Sequence, residues 1–245
     1  MKTVLITGAN KGIGFETARQ LLQKGFFVYI GSRDITKGQE AVESLKNDGF
    51  TAVEAIHLDV SNQQSVDAAR AEIGKKTDVL DVLINNAGIS GGFSQTALNA
   101  TIDQFEQVYG TNVFGVVRVT QAFVDLLKPS AEPRIVNVSS SQGSLTLSSD
   151  PDDKYYHFKA AVYQSSKAAL NMYTINLAYE LRDTAFKVNV VCPGFTKTDF
   201  NNRQGTGTLE QAAARIVKCV LIDNDGPSGK FFSEETNPVT GEIPW

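Results

Sequence analysis

Tyr163 and Lys167 stand four residues apart in AVYQSSKAAL, a stretch whose pattern predicts a helix. Side chains at i and i+4 of a helix lie one above the other, so this phenol and ammonium point into the same space. A free phenol, with a pKa of about 10, is poorly matched to proton transfer near neutrality, and lowering it by roughly 2 to 3 units takes about 3 to 4 kcal/mol. A cation about 4.5 Å away supplies roughly that amount at an effective dielectric near 20. The pair can act as a proton donor and its pKa-lowering partner, provided a cofactor lies beside it. The same spacing arises by chance in many helices, so its meaning depends on what the rest of the chain gathers around it.

A second group of residues supplies a place for that cofactor. The run Thr7-Gly8-Ala9-Asn10-Lys11-Gly12-Ile13-Gly14 follows an apolar strand pattern and precedes the helical pattern FETARQLLQKG. A glycine-rich turn at a helix N-terminus binds anions, because unpaired N–H groups and the helix dipole face the ligand. Gly8 permits the sharp turn, Gly12 lets the backbone approach a pyrophosphate, and Gly14 lets the helix pack closely on the sheet. The spacing is Gly-x-x-x-Gly-x-Gly, which is neither the common G-x-G-x-x-G fingerprint nor a Walker loop. At the end of the second strand the chain reads Gly31-Ser32-Arg33-Asp34, where an NAD enzyme usually offers a carboxylate to the ribose. Arg33 suits a 2'-phosphate, Lys11 adds a second positive charge, and NADP is favoured over NAD. Asp34 either caps the following helix or turns toward the ribose. Asp59 and Val60, after the third strand, are placed to border an adenine or to form a strand-end turn.

The elements that must hold these groups are legible as an alternation. TVLIT, FFVYIGS, VEAIHLDV, VLDVLINNAG, RIVNVSS, KVNVVCPG and GKFFS read as strands, with six helical segments between them. Near-continuous apolar strands are buried on both faces of a parallel sheet, and the alternation implies right-handed βαβ crossovers. The expected fold is α/β: a three-layer doubly wound Rossmann fold with a mostly parallel seven-stranded sheet, forming one domain over residues 1–245. A Ser/Asp/Pro/Lys-rich stretch from Ser148 to Lys159, just ahead of Tyr163, reads as a surface excursion near the site.

Composition narrows the function classes. With 245 residues, 42% hydrophobic and 20% charged, the chain suits one sizeable core. A net charge of -4 with no basic run argues against nucleic-acid binding. The sequence contains no signal-peptide pattern and no span-length apolar stretch, so cytoplasm is the expected compartment and no membrane partner is expected. Cys192 and Cys219 lack metal-ligand spacing, and His57 and His157, the only histidines, read as structural or surface residues. Neither a metal site nor a histidine triad is expected.

Taken together, the glycine turn, Asn85-Asn86-Ala87-Gly88 after the fourth strand, Ser140 after the fifth, Tyr163-x-x-x-Lys167, and Pro193-Gly194 after the sixth make the chain resemble the short-chain dehydrogenase/reductase family over its whole length. NKGIG, SRDITKGQEAV, VCPGFTKTD and PSGKFFSEE are most similar to the monomeric carbonyl reductase branch, which reduces ketones and aldehydes with NADPH. The resemblance implies roles. Asn86, Ala87 and Gly88 pack beside the adenine-side ribose. Asn112 in GTNVFG interrupts its helix and fixes a water leading from Lys167 to solvent. Ser140, rather than Ser139 or Ser141, hydrogen-bonds the substrate carbonyl. Pro193 and Gly194 shape the nicotinamide pocket, with Phe195 and Thr196 at the carboxamide.

The interval from Ser140 to Tyr163 is longer than the family's common spacing, so the Ser148 to Lys159 stretch reads as an insertion. In the carbonyl reductase branch such residues lie over the helix that other members use to dimerise, so a monomer or homodimer is expected rather than a tetramer. The substrate, a small-molecule carbonyl compound, would meet Gly91, Gly92 and Phe93, the insertion with Tyr155, Tyr156 and Phe158, and the Phe195 to Arg203 loop. Trp245 folds back over the pocket or hangs free. The rival readings are an alcohol dehydrogenase working mainly in oxidation and a non-catalytic dinucleotide sensor.

Overall fold

Alternate residues of each central strand feed two different cores. In the computed structural model, which describes residues 1–92 and 94–245, Val4 and Ile6 pack with Leu21, Val42 and Ile216, while Leu5 between them packs with Val66, Phe123 and Ala178. The period of two along a strand sends neighbours to opposite faces, so burial of both faces makes the strands apolar throughout. The strands are β1 (Thr3–Thr7), β2 (Phe27–Ser32), β3 (Val53–His57), β4 (Val82–Asn85), β5 (Arg134–Val138), β6 (Lys187–Val191) and β7 (Phe231–Phe232). They form a seven-stranded sheet in the order β3-β2-β1-β4-β5-β6-β7. Every neighbouring pair is parallel, which carries the expected mostly parallel sheet to completion. One face is covered by α1 (Gly12–Gln23), α2 (Ile35–Asn47) and α8 (Leu209–Val220), the other by α3 (Gln63–Gly74), α5 (Val116–Leu127) and α7 (Ala161–Glu180).

The order reverses between β1 and β4, which places a crevice at their carboxyl ends. Several expected strands stop short there: β3 ends at His57 and β4 at Asn85, so that Leu58 to Val60 and Asn86 to Gly88 form the crevice rim. Helices number eight among the described residues rather than six. A short α6 (Leu145–Ser149) lies just before and within the excursion, and the helical stretch after β4 is divided into α4 (Ile102–Tyr109), a π-helical turn at Gly110–Gly115, and α5. In the π turn, Gly115 passes so close to Val60 that a Cβ would lie 2.8 Å from its Cγ2. Arg118 Nη1, eight residues on, donates to the Gly110 carbonyl at 3.4 Å.

Candidate active site

The glycine turn is held from the neighbouring strand. Gly8 and Gly12 adopt φ of 65° and 61°, a region that favours glycine. A Cβ on Gly14 would lie 2.5 Å from Asn86 Nδ2 and 2.8 Å from the Gly8 carbonyl. Asn86 Nδ2 donates to the carbonyls of Thr7 (2.9 Å) and Gly8 (3.1 Å), and the Thr7 hydroxyl accepts from Asn86 N and Ala87 N. The Asn-Asn-Ala-Gly segment therefore clamps the turn. α1 starts at Gly12 with no side-chain cap from Lys11 and no acid in its first turn, and a Cβ on Gly12 would meet nothing within 4 Å. Open space in front of uncapped helix donors fits a pyrophosphate. Asn10 is partly buried, and Ile13 packs against the core beneath the turn.

At the adenine end, Arg33 is exposed beyond β2. Asp34 does not face the crevice as a free carboxylate: it caps α2, accepting from Thr36 N and Lys37 N. Burial works against the charge of Asp59, yet hydrogen bonds from Ser61 and the positive charge of Arg33 hold its carboxyl below the usual range. Val60 is buried against Gly115. Lys11 is exposed and its Nζ lies 3.3 Å from Asp199 Oδ2, so within the protein its charge is shared with the loop after β6.

Ser140, Tyr163 and Lys167 converge on the other side of the crevice. Ser139 is buried and commits its hydroxyl to Asn171 Oδ1 at 2.8 Å, whereas Ser140, whose Oγ accepts from Gln142 N at 3.2 Å, lies near enough to the Tyr163 phenol to lower its pKa. A Cβ on Gly143, at the end of the turn that Ser140 caps, would fall 2.8 Å from Lys167 C and Cβ, so this turn lies directly on α7. Lys167 is 6% exposed. Its Nζ donates to the Val138 carbonyl at 2.9 Å and lies 5.8 Å from the centre of the Tyr163 ring. Burial pulls the ammonium down to about 8. The phenol moves the opposite way from the expectation: burial, with a smaller contribution from Cys192, pushes it well above its ordinary value despite Ser140. The physical reason is that burial disfavours the phenolate, while the Lys167 ammonium is turned to a backbone carbonyl.

Asn112, fully buried in the π turn, ties three parts together. Its Oδ1 accepts from Ile89 N (2.9 Å), and its Nδ2 donates to Ile89 O (3.0 Å) and to Ser166 Oγ (3.1 Å). Its side chain thus joins the loop after β4 to α7. A Cβ on Gly88 would touch both Asn112 Oδ1 and Lys167 Nζ, so these groups meet at that point.

The third wall follows β6. Gly194 has φ of 88°, and a Cβ there would strike the Arg215 guanidinium and the Glu235 carboxylate. Arg215 donates to the Pro193 carbonyl. Thr196 is buried, its hydroxyl turned back to Gly194 O at 3.2 Å. Glu235 joins three segments: it accepts from Phe195 N (2.7 Å), the Tyr155 hydroxyl (2.6 Å) and Lys154 Nζ (2.9 Å). The excursion is therefore fastened to the loop after Pro193. Phe195 meets Tyr155 edge-on, and Phe200 meets the ring of Tyr163 at 5.7 Å. Phe158 and His157 are exposed, as is His57. Trp245 does not hang free: it stacks on Phe231 at 5.4 Å, and its carbonyl accepts from Thr146. Gly91 and Gly92 lie in the loop after β4, both at positive φ; Phe93 lies outside the described residues. Gln95, Cys192 and Glu235 carry no sequence signal that separates them from ordinary loop or core residues, and their place beside the site emerges only in three dimensions. Among the described residues no cluster of metal-ligating side chains forms, and no helix is long and apolar enough to cross a membrane.

A doubly wound sheet with a glycine turn at its switch point, flanked by a serine, a tyrosine and a lysine, defines a dinucleotide-dependent oxidoreductase. The short chain dehydrogenase family model matches residues 2–208. Salutaridine reductase of Papaver bracteatum is 34% identical, with 95% of this chain and 94% of that protein covered. (+)-Neomenthol dehydrogenase of Capsicum annuum is 33% identical over 93% of this chain and 94% of its own length. The solved structure of NADPH-bound carbonyl reductase from chicken fatty liver superposes with a TM-score of 0.85 at 28% identity, covering 100% of this chain and 99% of that one. The chain belongs to the short-chain dehydrogenase/reductase family.

Proposed function

We propose that the chain, acting as one domain over residues 1–245, is an NADPH-dependent carbonyl reductase that converts ketones or aldehydes to alcohols. The observation that carries this reading is the convergence of Ser140 and Lys167 on Tyr163 beside a crevice whose helix donors are uncapped. NADPH supplies the hydride when bound. Gly8, Asn10, Gly12, Ile13 and Gly14 hold its pyrophosphate side, and Arg33 and Lys11 recognise the 2'-phosphate. Asp59 and Val60 border the adenine, Asn86, Ala87 and Gly88 the ribose, and Pro193 to Thr196 the nicotinamide. Tyr163 donates a proton to the carbonyl oxygen, and Ser140 orients that oxygen. The phenol is protonated near neutrality, the form a donor needs, although burial makes it a weaker acid than a free phenol. Lys167 stabilises the phenolate left behind, and Asn112 holds a water that returns the proton. The names of the reductase relatives and the NADPH-bound neighbour support both cofactor and reaction class. The aromatic rim of Tyr155, Phe195 and Phe200 supports a hydrophobic ketone as substrate.

The test is NADPH and NADH oxidation across aryl ketones, ketoesters, quinones and aldehydes, with Tyr163→Phe as the control. Turnover is expected with NADPH, and Tyr163→Phe is expected to keep NADPH binding while losing at least about 100-fold in rate. Most of the activity surviving in Tyr163→Phe would remove Tyr163 from its role. A chain that binds NADPH and turns over no carbonyl compound would be a sensor.

A further inference from the structure

The helix that carries Tyr163 begins without a cap of its own. Ala160, at the N-cap of α7, supplies no side-chain hydrogen bond, although the first N–H groups of a helix need acceptors. Gln95, from the loop after β4, supplies two. Its backbone carbonyl accepts from Ala161 N at 2.8 Å, and its side-chain Oε1 accepts from Tyr163 N at 2.9 Å. Gln95 is 2% exposed. Its Nε2 donates to the Ser90 carbonyl at 2.6 Å and to that of Gly92, which fixes the amide's orientation and hence which atom faces Tyr163.

The other backbone group of Tyr163 leads to the same loop. Ser166 Oγ donates to the Tyr163 carbonyl at 2.7 Å and accepts from Asn112 Nδ2, while Asn112 grips both backbone groups of Ile89. The peptide of Tyr163 is thus held at its N–H by Gln95 and at its carbonyl through Ser166 and Asn112, both anchored in the stretch from Ile89 to Gln95. A glycine makes the arrangement possible: Gly91 has φ of 77°, and a Cβ there would come within 2.5 Å of Val108 Cγ2 and 3.4 Å of Gln95 Nε2.

We infer that Gln95 is a positioning residue for proton transfer, serving as a cap supplied from a distant loop that fixes where the Tyr163 phenol stands. The inference rests on the reading of Tyr163 as the proton donor. Because Gln95 and Asn112 hold the Tyr163 peptide from this loop, a shift of the loop would displace the acid, while the glycine turn is held separately by Asn86.

The test uses Gln95→Met, which keeps the length and removes both polar atoms, and Gln95→Glu, which keeps the acceptor for Tyr163 N and, held protonated by burial, can still donate to one of the two carbonyls that Nε2 serves. A misplacement of about 1 Å can cost on the order of 100-fold in rate. Gln95→Met is therefore expected to lower kcat by about 10- to 100-fold while calorimetry gives an NADPH affinity within about twofold of the parent, and Gln95→Glu to lose less. Amide exchange at Tyr163 should quicken in Gln95→Met and remain protected in Gln95→Glu. Tyr163→Phe is measured alongside. If it stays active, the proton-donor reading falls and this inference with it. If it is inactive while both Gln95 variants turn over at the parent rate, this inference alone is overturned. Parallel losses of kcat and NADPH affinity in both variants would also overturn it, since that pattern marks a general structural role.

Discussion

Lys167 is held where its charge is hardest to keep, and that gives the chain a measurable pH limit. Burial lowers the ammonium to about 8, so it is protonated below that pH and neutral above it. A neutral lysine cannot stabilise the phenolate left when Tyr163 gives up its proton. We therefore expect kcat/KM for NADPH, which reports groups of the free enzyme, to be level near neutrality and to fall above about pH 8. Lys167→Arg keeps its charge to beyond pH 12 and should move that limb out of range, even if its absolute rate is lower. An unchanged limb in Lys167→Arg would assign it to another group. The sequence made the pair itself legible through its spacing, but not the sign of the Tyr163 shift. Spacing places two groups on one face, whereas a pKa depends on how much water each retains and on where the ammonium points, here the Val138 carbonyl.

At the scale of elements, the turn that Ser140 caps and the helix that carries Lys167 touch without room for a methyl group at Gly143. Gly143→Ala must push one element from the other, an overpacking that costs about 1 to 3 kcal/mol. Each kcal/mol shifts the melting temperature by about 2 to 4 °C in a chain of this size. The expected result is a folded protein with a lowered melting temperature and a rate reduced at least about 10-fold, because Ser140 and Lys167 no longer share one frame. A parent-like rate would show that the two elements need not stay in register. The alternation of strands and helices, and the rim residues at strand ends, were readable because burial on both faces leaves unbroken apolar runs. The π turn around Asn112 was readable only as an interruption. Its hydrogen-bond pattern depends on Gly115 reaching Val60 and on Arg118 taking up the Gly110 carbonyl, both tertiary matters. The ties made by Gln95 and Glu235 were invisible for the same reason: each joins segments far apart in the chain.

For the whole molecule, the excursion from Ser148 to Lys159 bears on how many chains associate. Its strongest ties run to Glu235, and through it to Phe195, while Met172 and Tyr179 on α7 remain 58% and 66% exposed. Fastened this way, the excursion leaves Met172 and Tyr179 on α7 uncovered. We still expect one or two chains in solution rather than four, and light scattering on the eluting protein would decide; a mass of four chains would overturn the expectation.

The stacking of Trp245 on Phe231 has an optical consequence. Trp245 is the chain's sole tryptophan, and it sits with Phe231 and Cys192 in a small cluster at the β6–β7 edge, away from the two larger cores. Indole emission therefore samples that margin of the sheet and the α6 segment packed on it. On heating, a red shift that precedes the loss of far-ultraviolet helical signal would mean that the sheet begins to come apart from β7 while the β1–β4 crevice is still closed.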